Sequence, residues 1–342
     1  MQSPSALCPN AVTVQSIQQE TTDVHTLTLH CHNKFNYLPG QYVFVCINNN
    51  SNVIRAYTLS SSPISYSNNM GNDLRLTVRH IENGIGSTWL TQQVKVGDTL
   101  WLSDAQGDFT CSTIVYSNYL MLAAGCGITP IISMTRWLLH HNQAQHITVL
   151  YHVKTQADVI FSTEWQALSK SHPNLSLFII TTQEKNAVAF SGRLSEEQLR
   201  YYVPNMSNQT VMCCGPEAYM QQGKLFCQNL GIPEERFHQE YFYQVNAACS
   251  EENATVSLAN IRINKQALDF TVPVGTTLLH ALEQHDVPIF AACRAGVCGS
   301  CKTKIQSGDY STNSQFALTE DEIKLGYVLA CSCTVKGDLI ID

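Results

Sequence analysis

Residues 293–301 read CRAGVCGSC, and a further cysteine stands at 331 within the later run GYVLACSC. Cys293, Cys298, Cys301 and Cys331 are thus spaced Cys-x4-Cys-x2-Cys with the fourth residue 30 positions on, the spacing with which four thiolates hold a [2Fe-2S] cluster. Three of the sulfurs must come from one tightly wound loop. Gly296 and Gly299 permit backbone conformations that side chains forbid, while Ala295 and Ser300 leave room for N–H groups to approach the sulfurs. A structural zinc knot would pair its cysteines as two short knuckles, which this loop does not do.

Cys333 competes with Cys331 for the fourth position, because residues two apart in a strand point to the same face. The run GYVLAC resembles the segment that carries the last ligand in plant-type ferredoxins. Cys331 is therefore assigned, and Cys333 is read as a spare thiol.

A chain of 342 residues exceeds one ordinary core and implies two or three domains. With 20 Lys+Arg against 27 Asp+Glu and no basic run, nucleic acid is not expected as a partner. The 14 cysteines are scattered along a long chain rather than packed into a short secreted one, so a reducing, cytoplasmic setting is expected. The opening MQSPSALCPNAVTVQ has neither the basic start nor the apolar core of a secretory signal. YLMLAAGCGITPIISM, the longest apolar run, is broken by Gly, Thr and Pro and falls short of the ~20 residues that span a bilayer. No membrane insertion is expected.

Outward from the cysteine loop, the texture changes twice. Up to residue 112 the pattern is of short strands, VTVQSI, VHTLTLHC, QYVFVCI, AYTLSSS, LRLTVRHI and DTLWLS, separated by turn residues, which predicts a small antiparallel β-barrel. Residues 113–243 alternate strands (LMLAAG, ITVLYHV, LSLFII, TVMCCG) with helical stretches, which predicts an α/β domain on a parallel sheet. Residues 244–254 read as a linker. Residues 255–342 hold two strands, the helix TTLLHALEQHD, the cysteine loop and closing strands around VLACSCTV and DLIID, a small α+β domain.

Four segments carry further chemistry. Arg55-Ala56-Tyr57-Thr58 ends a barrel strand and supplies a cation for phosphate, a ring to cover a flat heterocycle and a hydroxyl for a ring nitrogen, the parts of a flavin pocket; an ordinary strand with a buried Tyr would look similar. Asn83-Gly84-Ile85-Gly86-Ser87 is a glycine turn opening a helix, where exposed N–H groups can receive a pyrophosphate, although glycines also serve plain turns. Gly125-Cys126-Gly127-Ile128-Thr129-Pro130 follows a strand and opens a helix, but its last position departs from the G-x-G-x-x-G dinucleotide fingerprint. A second strand ends in Cys213-Cys214-Gly215-Pro216, and two adjacent strands ending in glycine turns would form one crevice. Cys214 reads equally as a small buried hydrophobe. The histidines, among them His140, His141 and His152, lack metal-ligand spacing and are read as solvated or core residues. Thr319 before Glu320-Asp321-Glu322 reads as a helix N-cap.

RAYTLSS, GIGS, GCGITP, CCGP and Glu240-Tyr241-Phe242 occur in the order seen in the ferredoxin–NADP reductase superfamily, with a plant-type, β-grasp [2Fe-2S] domain fused at the C-terminus. The resemblance covers nearly the whole chain, and in CRAGVCGSCKTKI it is greatest to the NADH oxidoreductases that serve hybrid cluster protein. It implies that Arg55 meets the diphosphate of FAD, with Ala56 beside it, that Tyr57 packs on the isoalloxazine and that Thr58 approaches flavin N5. Gly86 and Ser87 bind the diphosphate from the helix side. Gly125, Gly127 and Thr129 line the nicotinamide nucleotide site, and Cys214, with Gly215 and Pro216, lies near the nicotinamide. Phe242 or Tyr241 covers the flavin face. FAD rather than FMN rests on the resemblance alone.

The reading is an oxidoreductase in which electrons pass from NADH through FAD and a [2Fe-2S] cluster to a protein acceptor, hybrid cluster protein. NADH is expected over NADPH because YHVKTQADVIF offers Lys154 as its only certain cation and places Asp158 nearby, a poor setting for a 2′-phosphate. The reductase of an aromatic-ring oxygenase shares the modular order and is the rival enzyme. A redox-sensing or electron-carrier protein is the rival without catalysis, and intact RAYT, GCGITP and CCGP segments argue against it. Residues 255–342 hold 7 Lys+Arg and 9 Asp+Glu, so charge defines no docking patch.

Overall fold

The computed structural model describes residues 3, 5–50, 53–63, 73–113, 117–141, 146–184, 190–203, 205–241, 257–291, 294, 296, 299–315 and 317–342. The chain divides into two compact units, 1–51 with 56–242, and 52–55 with 243–342.

The first unit begins with the expected barrel. Strands β1 (Asn10–Gln19), β2 (Val24–Cys31), β3 (Tyr42–Cys46), β4 (Ile54–Thr58), β5 (Asp73–Arg79) and β6 (Thr99–Leu102) form one sheet in the order β4-β3-β6-β1-β2-β5. A bridge between Leu59 and Leu76 joins the two ends of that order and closes the sheet on itself. Period-2 alternation puts Val12, Val14, Leu27, Leu29, Leu74, Leu76, Leu100 and Leu102 inside. After β5 comes the short helix α1 (Ile85–Thr88), which runs on through one wider turn at Trp89–Gln93.

Five parallel strands follow: β7 (Asn118–Ala124), β8 (His146–Val153), β9 (Leu175–Thr181), β10 (Thr210–Gly215) and β11 (Phe237–Tyr241). Helices α2 (Ile128–His140), α3 (Ser162–Ser171), α4 (Glu196–Tyr202) and α5 (Glu217–Asn229) connect them. In the order β11-β10-β7-β8-β9, the chain winds one way from β7 and returns to the other side at β10. The sheet therefore reverses between β7 and β10, and ligands of open α/β sheets bind at that switch point, beyond the strand C-termini. Near-continuous burial along β8 and β10 is what a strand covered on both faces requires.

The second unit is a mixed sheet of β12 (Leu258–Ile263), β13 (Leu268–Pro273), β14 (Lys302–Thr312), β15 (Tyr327–Leu329) and β16 (Cys333–Ile341) in the order β13-β12-β16-β14-β15. Helix α6 (Leu278–Gln284), capped by Thr277, buries Leu278, Leu279, Ala281 and Leu282 in the same apolar cluster as Ile261, Val335 and Leu339. Thr319 caps α7 (Glu320–Lys324) as expected: its Oγ1 accepts from Glu322 N–H at 3.2 Å while the Glu322 carboxylate accepts from Thr319 N–H at 2.8 Å. No helix among the described residues is long and apolar enough to cross a membrane.

Candidate functional site

At the switch point the two glycine turns meet. Gly127 follows β7, and a Cβ placed on it would stand 2.1 Å from the carbonyl oxygen of Cys214 at the end of β10, so only glycine lets the backbones approach. Thr129 donates its hydroxyl to Cys126 C=O at 3.0 Å, and Tyr151 of β8 donates to Gly125 C=O at 3.1 Å. Both fix the turn from within. Tyr151 carried no sequence signal beyond its place in an apolar strand.

Cys214 is fully buried opposite Ala123 on one side and Glu240 on the other. Burial, then the facing Glu240 carboxylate, pushes its thiol far above the ordinary range. Cys214 is thus a neutral thiol and not a nucleophile. Glu240 is itself pushed up to about 8 by burial, and its Oε2 has no hydrogen-bond partner among the described residues. In the sequence Glu240 stands only as part of the Glu240-Tyr241-Phe242 motif. Pro216, next to Gly215, is exposed at the mouth of the crevice.

The barrel supplies the other wall. In β4, Arg55, Ala56 and Tyr57 are half-buried in succession, which breaks the in–out alternation of an ordinary barrel strand. Thr58 is buried, and its Oγ1 has no hydrogen-bond partner among the described residues. A buried hydroxyl without a partner costs about 1–3 kcal/mol, a cost that a hydrogen bond to a bound group would relieve. Leu59 N–H donates to Gln41 C=O at 2.9 Å, Gln41 Nε2 donates to Gly107 C=O at 3.0 Å, and a Cβ on Gly107 would lie 3.7 Å from Glu240 Oε1. Hydrogen bonds through Gln41 thus tie the Thr58 strand to Gly107, beside the Glu240 carboxylate. On the other flank, a Cβ on Gly125 would stand 3.5 Å from Nη1 of Arg79, which is paired with Asp23 at 3.1 Å.

Ser87 behaves less like a ligand group than its motif suggests. Its hydroxyl accepts from Ile81 N–H at 3.2 Å and donates back toward Gly84 C=O at 3.3 Å. Gly86 and Ser87 retain only backbone N–H groups in the first helical turn, ahead of the first bond from Thr88 to Gly84. Phe242 lies outside the described residues, as does the Tyr241 side chain.

In the second unit, Cys301 Sγ lies 3.2 Å from Cys331 Sγ, and Gly296 N–H donates to Cys331 Sγ at 3.2 Å. An amide aimed at sulfur suits a thiolate and tunes a cluster that it ligates. Gly296 and Gly299 have φ of +70° and +73°, the left-handed region expected of them. Ser314 ties the loop down by donating to Gly296 C=O at 2.7 Å, and Ser332 in turn donates to Ser314 C=O at 2.9 Å. ACSC is not continuous strand: Ala330–Ser332 form a 3₁₀ turn and β16 starts at Cys333. The expectation that Cys331 and Cys333 share one strand face fails for that reason. Burial pushes the Cys333 thiol up to about 12. Cys293 and Cys298 lie outside the described residues.

The residues present fit three bound groups: a buried hydroxyl in the barrel without a partner among the described residues, two strand ends brought together at the switch point of the sheet by Gly127, and a pair of sulfurs with an amide donor.

Comparison with known proteins agrees with each. Residues 11–111 match an oxidoreductase FAD-binding domain, 121–224 an oxidoreductase NAD-binding domain and 261–336 a 2Fe-2S iron-sulfur cluster binding domain. The chain is 44% identical to NADH oxidoreductase HCR of Escherichia coli over 100% of both chains. It is 28% identical to a glycine betaine monooxygenase reductase subunit of Chromohalobacter salexigens, over 95% of this chain and 92% of that one. Among solved structures, phthalate dioxygenase reductase superposes with a TM-score of 0.67 at 22% identity, covering 97% of each chain, and shares the fold. The chain belongs to the ferredoxin–NADP reductase superfamily and, within it, to the family of NADH oxidoreductase HCR, oxidoreductases that join FAD-binding, NAD-binding and [2Fe-2S] domains in one polypeptide.

Proposed function

We propose that this chain oxidises NADH and delivers the electrons singly to a protein acceptor, hybrid cluster protein. The observation that carries the reading is the 44% identity with NADH oxidoreductase HCR along the full length of both chains. When bound, flavin accepts a two-electron hydride and releases electrons one at a time, which suits it to stand between a nicotinamide and an iron–sulfur centre.

In this reading residues 1–112 hold FAD, 113–243 the nucleotide and 255–342 the cluster, with 244–254 as linker. Thr58 offers its unpartnered hydroxyl to the flavin ring, Tyr57 covers that ring, and Arg55 meets the diphosphate together with the N–H groups of Gly86 and Ser87. Gly125, Gly127 and Thr129 shape the turn that receives the nicotinamide nucleotide. Cys214 sits at the nicotinamide as a neutral thiol, Gly215 and Pro216 complete the edge, and Phe242 or Tyr241 shields the flavin face until the nicotinamide enters. Cys293, Cys298, Cys301 and Cys331 ligate the cluster. The free thiols among the described residues, which form no disulfide, suit a reducing cytoplasm.

Selection of NADH has a local support. Asp158 accepts from Thr155 N–H and Oγ1 at 2.9 and 2.7 Å, and the Glu184 carboxylate accepts from Gln156 N–H, so two carboxylates gather beside the segment after β8. Lys154 alone does not offset them for a 2′-phosphate.

The 28% identity with a glycine betaine monooxygenase reductase subunit supports a second acceptor class, an oxygenase component. Steady-state oxidation of NADH and of NADPH, with hybrid cluster protein or an oxygenase component added, separates the readings. Stimulation by hybrid cluster protein with a higher kcat/KM for NADH is expected. Stimulation by the oxygenase component alone, or preference for NADPH, overturns the corresponding part.

A further inference from the structure

Helix α2 begins at the GCGITP turn, and one of its faces is buried against the barrel. Ser133, fully buried, donates its hydroxyl to Ser61 C=O at 2.5 Å and accepts from Gly40 N–H at 3.2 Å. Three residues on, on the same face of the helix, Arg136 donates from Nη1 to Ser60 C=O. Its Nε and Nη2 donate to the two carboxylate oxygens of Glu164 in α3, each at 2.6 Å, and its guanidinium lies 5.4 Å from the centre of the Phe161 ring. Arg75 of β5 reaches the same carboxylate at 3.9 Å. Against the upward push of burial, the Arg136 hydrogen bond and the charges of Arg136 and Arg75 hold Glu164 below the ordinary carboxylate range.

An ion pair between α2 and α3 would by itself be ordinary helix packing inside one domain. The third arm of Arg136 and the hydroxyl of Ser133 do something else. Both end on consecutive carbonyls of the other domain, in the segment that leaves β4 directly after Thr58. Arg136 is held flat by Glu164, so its Nη1 has one direction to point.

We propose that Ser133 and Arg136 are positioning residues for hydride transfer: α2 is a strut that sets how far the nicotinamide turn stands from the strand carrying Thr58. The inference rests on the roles proposed above for Thr58 and for the Gly125–Thr129 turn. On the helix Ser133 follows Thr129 by four residues and Arg136 follows it by seven, about 6 and 10 Å, and the gripped carbonyls of Ser60 and Ser61 follow Thr58 by two and three residues, about 7–10 Å of extended chain. A hydride moves only between atoms held about 3–3.5 Å apart, and a displacement of about 1 Å can cost about a hundredfold in rate. Neither residue needs to touch flavin or nucleotide to have that effect.

The test uses Ser133→Ala, which removes both bonds of the hydroxyl, and Arg136→Lys, which keeps a charge for Glu164 but cannot also reach Ser60 with a fixed fork. In holoenzyme at saturating NADH, each variant is expected to slow flavin bleaching by about ten- to a hundredfold, with a larger isotope effect for NADH deuterated at C4 and an NADH dissociation constant within about threefold of the parent. In flavin-free protein, amide hydrogen exchange of residues 57–63 is expected to rise while that of residues 10–19 stays as in the parent. Parent-like bleaching rates and isotope effects in both variants would overturn the proposal, as would unchanged exchange at 57–63. If the parent itself is not reduced by NADH, the proposed function falls; the exchange measurement needs neither flavin nor nucleotide and still decides whether α2 holds the strand.

Discussion

Gly127 and Cys214 touch backbone to backbone: a Cβ on Gly127 would stand 2.1 Å from the Cys214 carbonyl oxygen, 2.4 Å from its carbon and 2.7 Å from Gly215 N. None of those atoms is the end of a flexible side chain, so a methyl group there must push the two strand ends apart. Overpacking of this kind costs about 1–3 kcal/mol. Gly127→Ala is expected to lower the melting temperature by several degrees and to raise KM for NADH about tenfold or more, with flavin content unchanged because the barrel is not involved. An unaltered KM would show that the nucleotide does not depend on this contact.

Thr58 allows a prediction of opposite signs. Its buried Oγ1 has no partner among the described residues, so Thr58→Val, of nearly the same shape and well suited to a strand, should stabilise the flavin-free protein by about 1 kcal/mol. The same change should slow NADH-driven reduction of ferricyanide by the holoenzyme. Chemical denaturation of the flavin-free chain and steady-state kinetics of the loaded one check the two halves. Loss of stability in the flavin-free state would mean that the hydroxyl already has a partner in the fold.

His152 shows what a core histidine does to pH dependence. Buried in β8, it has Nδ1 3.0 Å from the Tyr219 hydroxyl and Nε2 3.2 Å from Gln198 Oε1, and burial lowers its pKa from 6.5 to about 4. Between those values the unfolded chain binds more protons than the folded one, so the stability is fully present above about 6.5 and is lost as pH falls toward 4. From pH 7 to 5 the loss amounts to about 2 kcal/mol. His152→Asn should flatten that part of the profile in urea titrations. Parallel profiles for parent and variant would contradict the assignment.

The parts of this molecule that could be read from sequence are those encoded locally. The six barrel strands announce themselves as short strand-like runs between turn residues, the Thr319 cap by its i, i+3 partner, and the cysteine loop by spacing. Strand β14 does not: in KTKIQSGDYST only Ile305 is buried, so there is no apolar periodicity to see, and its place is fixed by pairing with β15 and β16. Glu240, Tyr151 and Arg136 escaped for a related reason. Each acts through a partner 26 or more residues away in sequence, Glu240 through Cys214, Tyr151 through Gly125 and Arg136 through Ser60 and Glu164. Ser87 is the converse case, in which a ligand-like motif spends its hydroxyl on its own turn.

The most direct measurement of the account compares two cysteine variants as electron donors. Cys331 lies 3.2 Å from Cys301 Sγ and accepts an amide hydrogen bond, whereas Cys333 opens β16. Cys331→Ser is predicted to abolish the paramagnetic signal of the reduced cluster, to retain NADH–ferricyanide activity, and to lose NADH-driven reduction of hybrid cluster protein; Cys333→Ser should keep all three. Reduction of hybrid cluster protein at the parental rate by the cluster-free Cys331→Ser protein would contradict the claim that electrons leave this chain through its [2Fe-2S] domain.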